Sequence, residues 1–239
     1  MESKLLLILL TLYGLSFLFS LLKKVSFAQV SQAVGVLLHL AILIFRIFNT
    51  QHLPFTNIYE SLLLLTFLLQ LKFLLFQRSK SDLVLTIQRT ILFFLVLLMT
   101  LLGPECKTIS PVMHSLNSFW MYVHALSYLL AYVTLFSAFV LALIHIFSKK
   151  SIFNYNKQLD THVSFSFIFF LIAAFSAAIW RQLSSGDFCL FNPGEIWVLI
   201  YILILSLYFH KEDRITQSWI VLITTLTVLF SYFLIIAIK

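Results

Sequence analysis

The sequence predicts an all-α fold: a polytopic membrane helix bundle of about eight transmembrane helices, forming a single integral membrane domain over residues 1–239. Two observations predict it. The composition is 61% hydrophobic and only 10% charged, with 26 phenylalanines, which is not typical of a soluble domain of this size. The apolar residues also fall into stretches of about 20, the length that crosses the hydrocarbon core of a bilayer.

Eight such stretches follow one another along the chain. The first lacks the basic n-region and A-x-A-like cleavage site of a signal peptide, so we expect it to remain in the mature chain. Thr56 or Asn57 can cap the third helix, with Glu60 close to a capping-box position. A turn at 192–194 precedes the short seventh helix, and the helix dipole favours Glu195 in its first turn. The stretches span residues 4–22, 29–49, 57–76, 83–103, 119–147, 163–181, 195–210 and 218–238.

Basic residues in the connecting loops predict the orientation of the bundle. They concentrate in the loops after the odd-numbered helices, and such loops face the cytoplasm. Both termini and a functional outer face are therefore expected outside. The same bias accounts for the net charge of +7, and its scatter over short loops predicts no nucleic-acid partner. The loops after the odd-numbered helices carry Lys23, Lys24, Arg78, Lys80, Lys149, Lys150, Lys157, Lys211 and Arg214, and those after helices two, four and six carry only Lys107 and Arg181.

A histidine face on the predicted fifth helix points to a ligand. Trp120, His124 and Tyr128 lie at i, i+4 and i+8 on one side of that helix. An ionisable ring at that depth should face a protein interior, a water-filled cavity or a ligand. Because haem is flat, aromatic and ligated by imidazole, this face predicts haem binding. The outer segments that hold most of the unusual polar and aromatic residues are 51–61, 111–124 and 185–197.

Four further histidines, at different depths in the membrane, are candidates for binding the same ligand. His52 and His114 lie in outer loops, and His39 lies in the middle of helix two. His210 ends helix seven on the cytoplasmic side, about 22 Å from Glu195 at 1.5 Å per residue. A histidine at the membrane boundary is more often structural than a ligand. Candidates at both depths nevertheless favour a molecule that crosses the membrane and is held at each level.

Two arginines fall inside predicted helices. Arg46 follows His39 by seven residues, so it lies on the same face about two turns outward, and Arg89 lies inside helix four. A buried arginine costs several kcal/mol unless it is paired. Arg46 can pair with Glu60 or with a haem propionate, since its fork geometry suits either carboxylate.

Three segments carry a resemblance to a known family. Residues 52–61, H-L-P-F-T-N-I-Y-E-S, resemble the segment G-H-x-P-x-S-N-x-Y-E-S. Residues 118–124, S-F-W-M-Y-V-H, with Ser127-Tyr128, resemble S-x-W-L-x-x-H-V…S-Y. Residues 186–197 and 207–210 resemble a tryptophan-rich segment, W-G-x-Y-W-x-W-D-P-K-E-T-W, and a later Y-L-H. The chain thereby resembles, over roughly residues 35–215, the cytochrome c assembly family of CcsA/ResC-type membrane proteins that handle haem.

The resemblance implies a function in c-type cytochrome biogenesis. Haem b would be bound, moved across the membrane and presented at the outer face for covalent attachment to apocytochrome c. His124 would be the external iron ligand and His210 an inner one, with the other inner ligand from a ResB/CcsB-like membrane partner. The chain would then be a non-catalytic or co-catalytic subunit of a cytochrome c synthase (haem lyase). Pro193, Glu195 and Trp197 persist from the tryptophan-rich segment.

The chain also departs from the family pattern. Cys189, Phe191 and Asn192 stand where the family has tryptophans and an aspartate. The family's second external histidine, in a G-L-H-S-Y segment, has no counterpart, so His114, His52, the partner or the substrate would supply that ligand. Two alternatives therefore stay open: a HemX-like membrane protein that influences haem synthesis, and a transporter or scaffold without a cofactor.

Overall fold

The computed structural model describes residues 2–75, 82–103, 118–147, 155–186 and 193–237. Every regular element within these ranges is helical, which confirms the predicted all-α fold. Seven of the described helices are long and apolar enough to cross a membrane, and α7 is a shorter apolar helix. The protein is therefore a multi-pass membrane protein. The helices are α1 (Glu2–Leu21), α2 (Val25–Thr50), α3 (Ile58–Leu75), α4 (Asp82–Leu101), α5 (Phe119–Phe147), α6 (Asn156–Ser185), α7 (Pro193–Phe209) and α8 (Arg214–Ala237).

The sixth helix differs most from its predicted range, 163–181. It begins seven residues earlier, because its first two turns are polar and do not belong to the apolar stretch. Asp160 in these turns accepts hydrogen bonds from the Tyr208 hydroxyl and from Arg214 Nη1, each at 2.6 Å. Polar helix ends of this kind lie beyond the apolar stretch that the bilayer requires.

The first compact unit, Met1–Val112, contains α1 to α4. Helices α1 and α3 each pack against both α2 and α4, so the four helices form a closed ring. Its centre combines apolar side chains with charged and amide side chains. The buried polar residues are Ser16, Ser20, Gln32, His39, Arg46, Glu60, Thr66, Gln70, Gln88 and Arg89.

The second compact unit, Met113–Lys239, contains α5 to α8 in the same arrangement. Helices α5 and α7 each pack against both α6 and α8. The core of this unit is apolar and rich in aromatic rings, and its buried polar groups are mostly hydroxyls. The buried or partly buried rings in this core include Tyr128, Tyr132, Phe170, Tyr201 and Tyr208.

Two helix ends follow from local sequence. Asn57 Oδ1 accepts the N–H of Glu60 at 2.9 Å, while Glu60 Oε2 accepts the N–H and the hydroxyl of Thr56 at 3.0 and 2.6 Å. This confirms the predicted cap of α3. In the second unit, α6 stops at Gly186, whose φ of 74° is the left-handed conformation that glycine adopts without strain.

Candidate functional site

His124 lies in the second turn of α5, with its side chain half-buried against α6. Its Nδ1 is 2.9 Å from the backbone oxygen of Ala173. Because a carbonyl oxygen only accepts hydrogen bonds, Nδ1 carries the proton and the lone pair is on Nε2. The same oxygen also accepts the Ser176 hydroxyl at 3.1 Å. The fold thus fixes both the tautomer and the orientation of this imidazole.

Aromatic rings surround the imidazole. The Tyr128 ring meets it edge-on, with centroids 4.8 Å apart, and the Trp180 ring lies nearly parallel to it at 6.5 Å and 19°. Tyr128 in turn contacts Phe170, with centroids 6.2 Å apart. Ring pairs at such distances attract one another beyond their burial of area. Trp120 belongs to the same end of α5, where its ring packs edge-on against the neighbouring Phe119.

An ion pair lies at the same end of the second unit. Arg181 Nη2 in the last turns of α6 is 2.8 Å from Glu195 Oε1 in the first turn of α7. The other oxygen, Oε2, is buried and forms no hydrogen bond. A cavity of about 10 Å³, enough for roughly one water molecule, separates Glu195 from Tyr128. The first turns of α5 and α7 and the last turns of α6 therefore meet at one site.

The remaining residues predicted at this end are described only in part. Trp197 packs into the core of the second unit, edge-on to Phe230 with centroids 6.2 Å apart. Pro193 is the first residue of α7. His114 and residues 187–192 lie outside the described residues, so the predicted segment 185–197 is seen at its two ends.

His210 lies at the opposite end of the second unit. It directly follows α7, its side chain is exposed, and its N–H donates to the Leu207 carbonyl oxygen at 3.2 Å. The rise of α7 puts it about 22 Å from Glu195. An imidazole in this position is accessible to a ligand or to another protein chain.

Arg46 and Glu60, predicted as a pair, are together in the first unit. Arg46 Nη2 and Nε each lie 3.0 Å from Glu60 Oε1, and both side chains are 1% exposed. Glu2, which the sequence did not single out, completes the cluster: its Oε2 is 3.2 Å from Arg46 Nη1, and its Oε1 accepts the Tyr59 hydroxyl at 2.8 Å. Of the two predicted partners of Arg46, the structure shows the glutamate.

The two other histidines predicted in the first unit have different surroundings. His39 is fully buried beside Gln70 and edge-on to Phe67, with ring centroids 5.6 Å apart, but neither ring nitrogen forms a well-directed hydrogen bond. His52 lies in the loop between α2 and α3, where its Nδ1 is 2.9 Å from the backbone oxygen of Leu53. These contacts do not identify either histidine as a haem ligand.

Sequence reasoning missed two residues of the site in the second unit. The structure brings His124, Tyr128 and Glu195 to one end, as predicted, and adds Trp180 and Arg181 from α6. The available signal was a Trp-Arg pair near the C-terminal end of an apolar helix, which is equally typical of an interfacial anchor. Spacing within α5 carries no information about which residues of α6 face it.

Comparison with known proteins decides the family. The model of the cytochrome c assembly protein family matches residues 55–238, which covers both the Arg46 partner Glu60 and the whole site around His124. The chain belongs to this family. Membership confirms the resemblance carried by residues 52–61, 118–128 and 186–210.

Individual relatives agree with the family assignment. The chain is 27% identical over 224 residues to the cytochrome c biogenesis protein CcsA of Chlamydomonas reinhardtii, covering 87% of this chain and 63% of that protein. It is 27% identical over 247 residues to CcsA of Guillardia theta, covering 90% and 81%. For CcsA of Prochlorococcus marinus (strain MIT 9301) the identity is 25% over 236 residues, covering 82% and 75%. The chain thus spans less than two thirds of the length of the Chlamydomonas relative.

Proposed function

We propose that this cytochrome c assembly protein binds haem b at the His124 end of its second unit, at the outer face of the membrane, and presents it to apocytochrome c. The observation that carries the proposal is the contact of His124 Nδ1 with the Ala173 carbonyl oxygen. A metal-ligating histidine characteristically donates its other N–H to such an acceptor, which orients the ring and raises the basicity of the ligating nitrogen. His124 therefore offers Nε2 to iron in a fixed direction.

The neighbouring side chains suit a flat apolar ligand. Tyr128 and Trp180 place aromatic surface around the imidazole, and Arg181 supplies a cation near it. The ion pair with Glu195 joins the start of α7 to the end of α6, so both ends of the segment 185–197 are anchored. When bound, haem supplies the vinyl groups that react with the thiols of apocytochrome c. The chain's part is to hold and orient the ligand.

His210 supports a second part of the proposal, the uptake of haem at the cytoplasmic level. Its exposed imidazole follows α7 at the end remote from Glu195. A ResB/CcsB-like membrane partner would contribute the second histidine, so that uptake depends on assembly of the two chains. The membrane would be the bacterial cytoplasmic membrane or the thylakoid membrane.

Replacement of His124 tests the proposal. We expect His124→Ala to lower the haem Soret absorbance of the purified protein at least several-fold, with partial recovery on addition of imidazole. His145→Ala is the matched control, because His145 lies in the last turn of the same helix and should leave the absorbance unchanged. Folded His124→Ala protein with a normal Soret band would overturn the assignment. A wild-type protein without haem after expression with its partner would favour the cofactor-free alternative.

A further inference from the structure

The first unit buries two arginines, and only one of them has a counter-charge in contact. Arg46 is paired with both Glu2 and Glu60. Arg89, which is 3% exposed, instead donates from Nε to Gln32 Oε1 at 3.3 Å and from Nη1 to Ser20 Oγ at 3.0 Å. Both acceptors are neutral. Its third nitrogen, Nη2, is buried and forms no hydrogen bond.

None of the described acidic residues of this unit contacts Arg89. Residues 1–112 contain four, of which Glu2 and Glu60 are engaged by Arg46. Asp82 is exposed at the start of α4, seven residues before Arg89 and about 10 Å from it along the helix axis, so its charge acts on Arg89 from a distance and without an ion pair. Glu105 lies outside the described residues and follows the far end of α4. No carboxylate among the described residues of the first unit pairs with Arg89.

An unpaired guanidinium inside a membrane protein is costly. The group keeps its proton in proteins, so it cannot escape the cost by becoming neutral. Removing one partner from a buried ion pair costs several kcal/mol, because the remaining charge is left uncompensated. Intramembrane charges are accordingly paired, or else they mark the site of an ion or ligand.

The core around Arg89 holds further polar groups without partners. Gln32 accepts a hydrogen bond from Arg89 through its side chain. Its backbone oxygen accepts a second one from Gln70 Nε2 at 3.2 Å. Gln70 lies beside His39, and the Tyr13 ring packs onto α2 at Gly35, next to Gln70. The Tyr13 hydroxyl forms no hydrogen bond, and neither His39 nitrogen forms a well-directed one. Buried polar groups normally have a hydrogen-bond partner, and a water molecule or an ion is one explanation where the protein supplies none.

We propose that this core holds a small monovalent anion, of which chloride is the probe, at Nη2 of Arg89. The anion provides the missing counter-charge and an acceptor for the free N–H. It is small, because Arg89 is enclosed by α1, α2 and α4 and has almost no exposed surface for a headgroup to reach. The neutral oxygens of Gln70 and Gln88, also unpartnered, cannot cancel a unit charge.

Thermal unfolding of the full-length protein in a neutral detergent tests the site. Chloride is titrated against gluconate at constant ionic strength and pH. The wild type should show a saturable rise of roughly 2–5 °C in Tm, because a ligand that binds the folded state stabilises it. Bromide should substitute for chloride. Arg89→Gln should lose the dependence, whereas Arg214→Gln, which alters a partly exposed arginine of the second unit, should retain it.

Three outcomes would overturn the proposal. The first is a wild-type Tm that does not respond saturably to chloride, which assigns only water to this core. The second is an equal response in Arg89→Gln, which indicates a general salt effect; if that variant does not fold, Arg89→Lys replaces it and should bind with altered halide affinity. The third is stabilisation by phosphatidylglycerol nanodiscs, but not by chloride, that depends on Arg89, which would assign the counter-charge to a lipid headgroup.

Discussion

The two helical units differ in which polar groups they bury and in how those groups form hydrogen bonds. The first buries arginines, a glutamate, a histidine and glutamines. Its arginines bond across helices, as Arg46 does with Glu60 and Glu2. The second buries hydroxyls that mostly bond back to their own helix, as Thr225 does to the Val221 carbonyl oxygen at 2.8 Å. Its helices meet through aromatic rings instead.

The difference shows where specificity resides in each unit. A hydroxyl that returns to the carbonyl four residues earlier contributes nothing to the choice of neighbouring helix. A charge that is paired across helices fixes which helices meet and in which register, because any other register leaves it unpaired. We therefore expect the stability of the first unit to depend on a few polar residues, and the stability of the second unit to depend on the packing of its aromatic rings.

Replacing Arg46 should have the largest effect. Arg46→Met leaves Glu60, 1% exposed, buried without its cation. We expect a loss of about 3–5 kcal/mol in unfolding free energy, measured by denaturation of purified protein in mixed micelles. The matched control is Arg214→Met, which breaks a pair with Asp160 whose side chains are 38% and 42% exposed. That change should cost about 1 kcal/mol or less.

The double variant Arg46→Met/Glu60→Gln sharpens the same test. It removes the buried charge that the single variant leaves behind, so it should be more stable than Arg46→Met alone. If Arg46→Met and Arg214→Met instead lose the same unfolding free energy, the buried charges of the first unit are no more important for stability than an exposed ion pair.

Replacing Phe170 should have the next largest effect, in the second unit. Its ring is fully buried and contacts Tyr132 and Tyr201, with centroids 5.8 and 5.4 Å away. Phe170→Ala leaves a cavity and should cost about 2–4 kcal/mol by the same measurement, toward the low side for cores because the reference state is already in lipid. Phe170→Leu, which keeps most of the volume, should cost less than about 1.5 kcal/mol. Similar losses for the two variants would argue against packing as the cause.

The number of helices could be predicted because the bilayer sets their length. Apolar stretches of about 20 residues located α1 to α8, and the error at the start of α6 arose where polar turns extend beyond the apolar stretch. The pair of Arg46 with Glu60 could be predicted because a buried cation needs a neighbouring anion, and Glu60 is close to Arg46 in the sequence. The contribution of Glu2 could not, since 44 residues separate it from Arg46.

The ends of α5 and α7 that form the candidate site could be predicted, but the side-chain contacts between helices could not. Helical spacing related His124 to Tyr128, and the structure shows their rings in contact. The partners from α6, namely Ala173, Trp180 and Arg181, depend on how two helices pack, and no spacing in either sequence encodes that register. The tautomer of His124 follows from the Ala173 contact, so it also became clear only from the structure.

Replacing Thr225 should cause the smallest change in unfolding free energy among these variants. Its side chain is fully buried in the second unit, and its hydroxyl bonds only to the helix that carries it. Thr225→Val keeps the shape, and the Val221 carbonyl oxygen remains available to the helix backbone. We therefore expect a change of about 0.5 kcal/mol or less, comparable with average side-chain hydrogen bonds in membrane proteins. Ser166→Ala provides the contrast within the unit, because the Ser166 hydroxyl donates across helices to the Ala131 carbonyl oxygen at 3.1 Å. A Thr225→Val loss above that of Ser166→Ala would show that the second unit, too, relies on its buried polar groups.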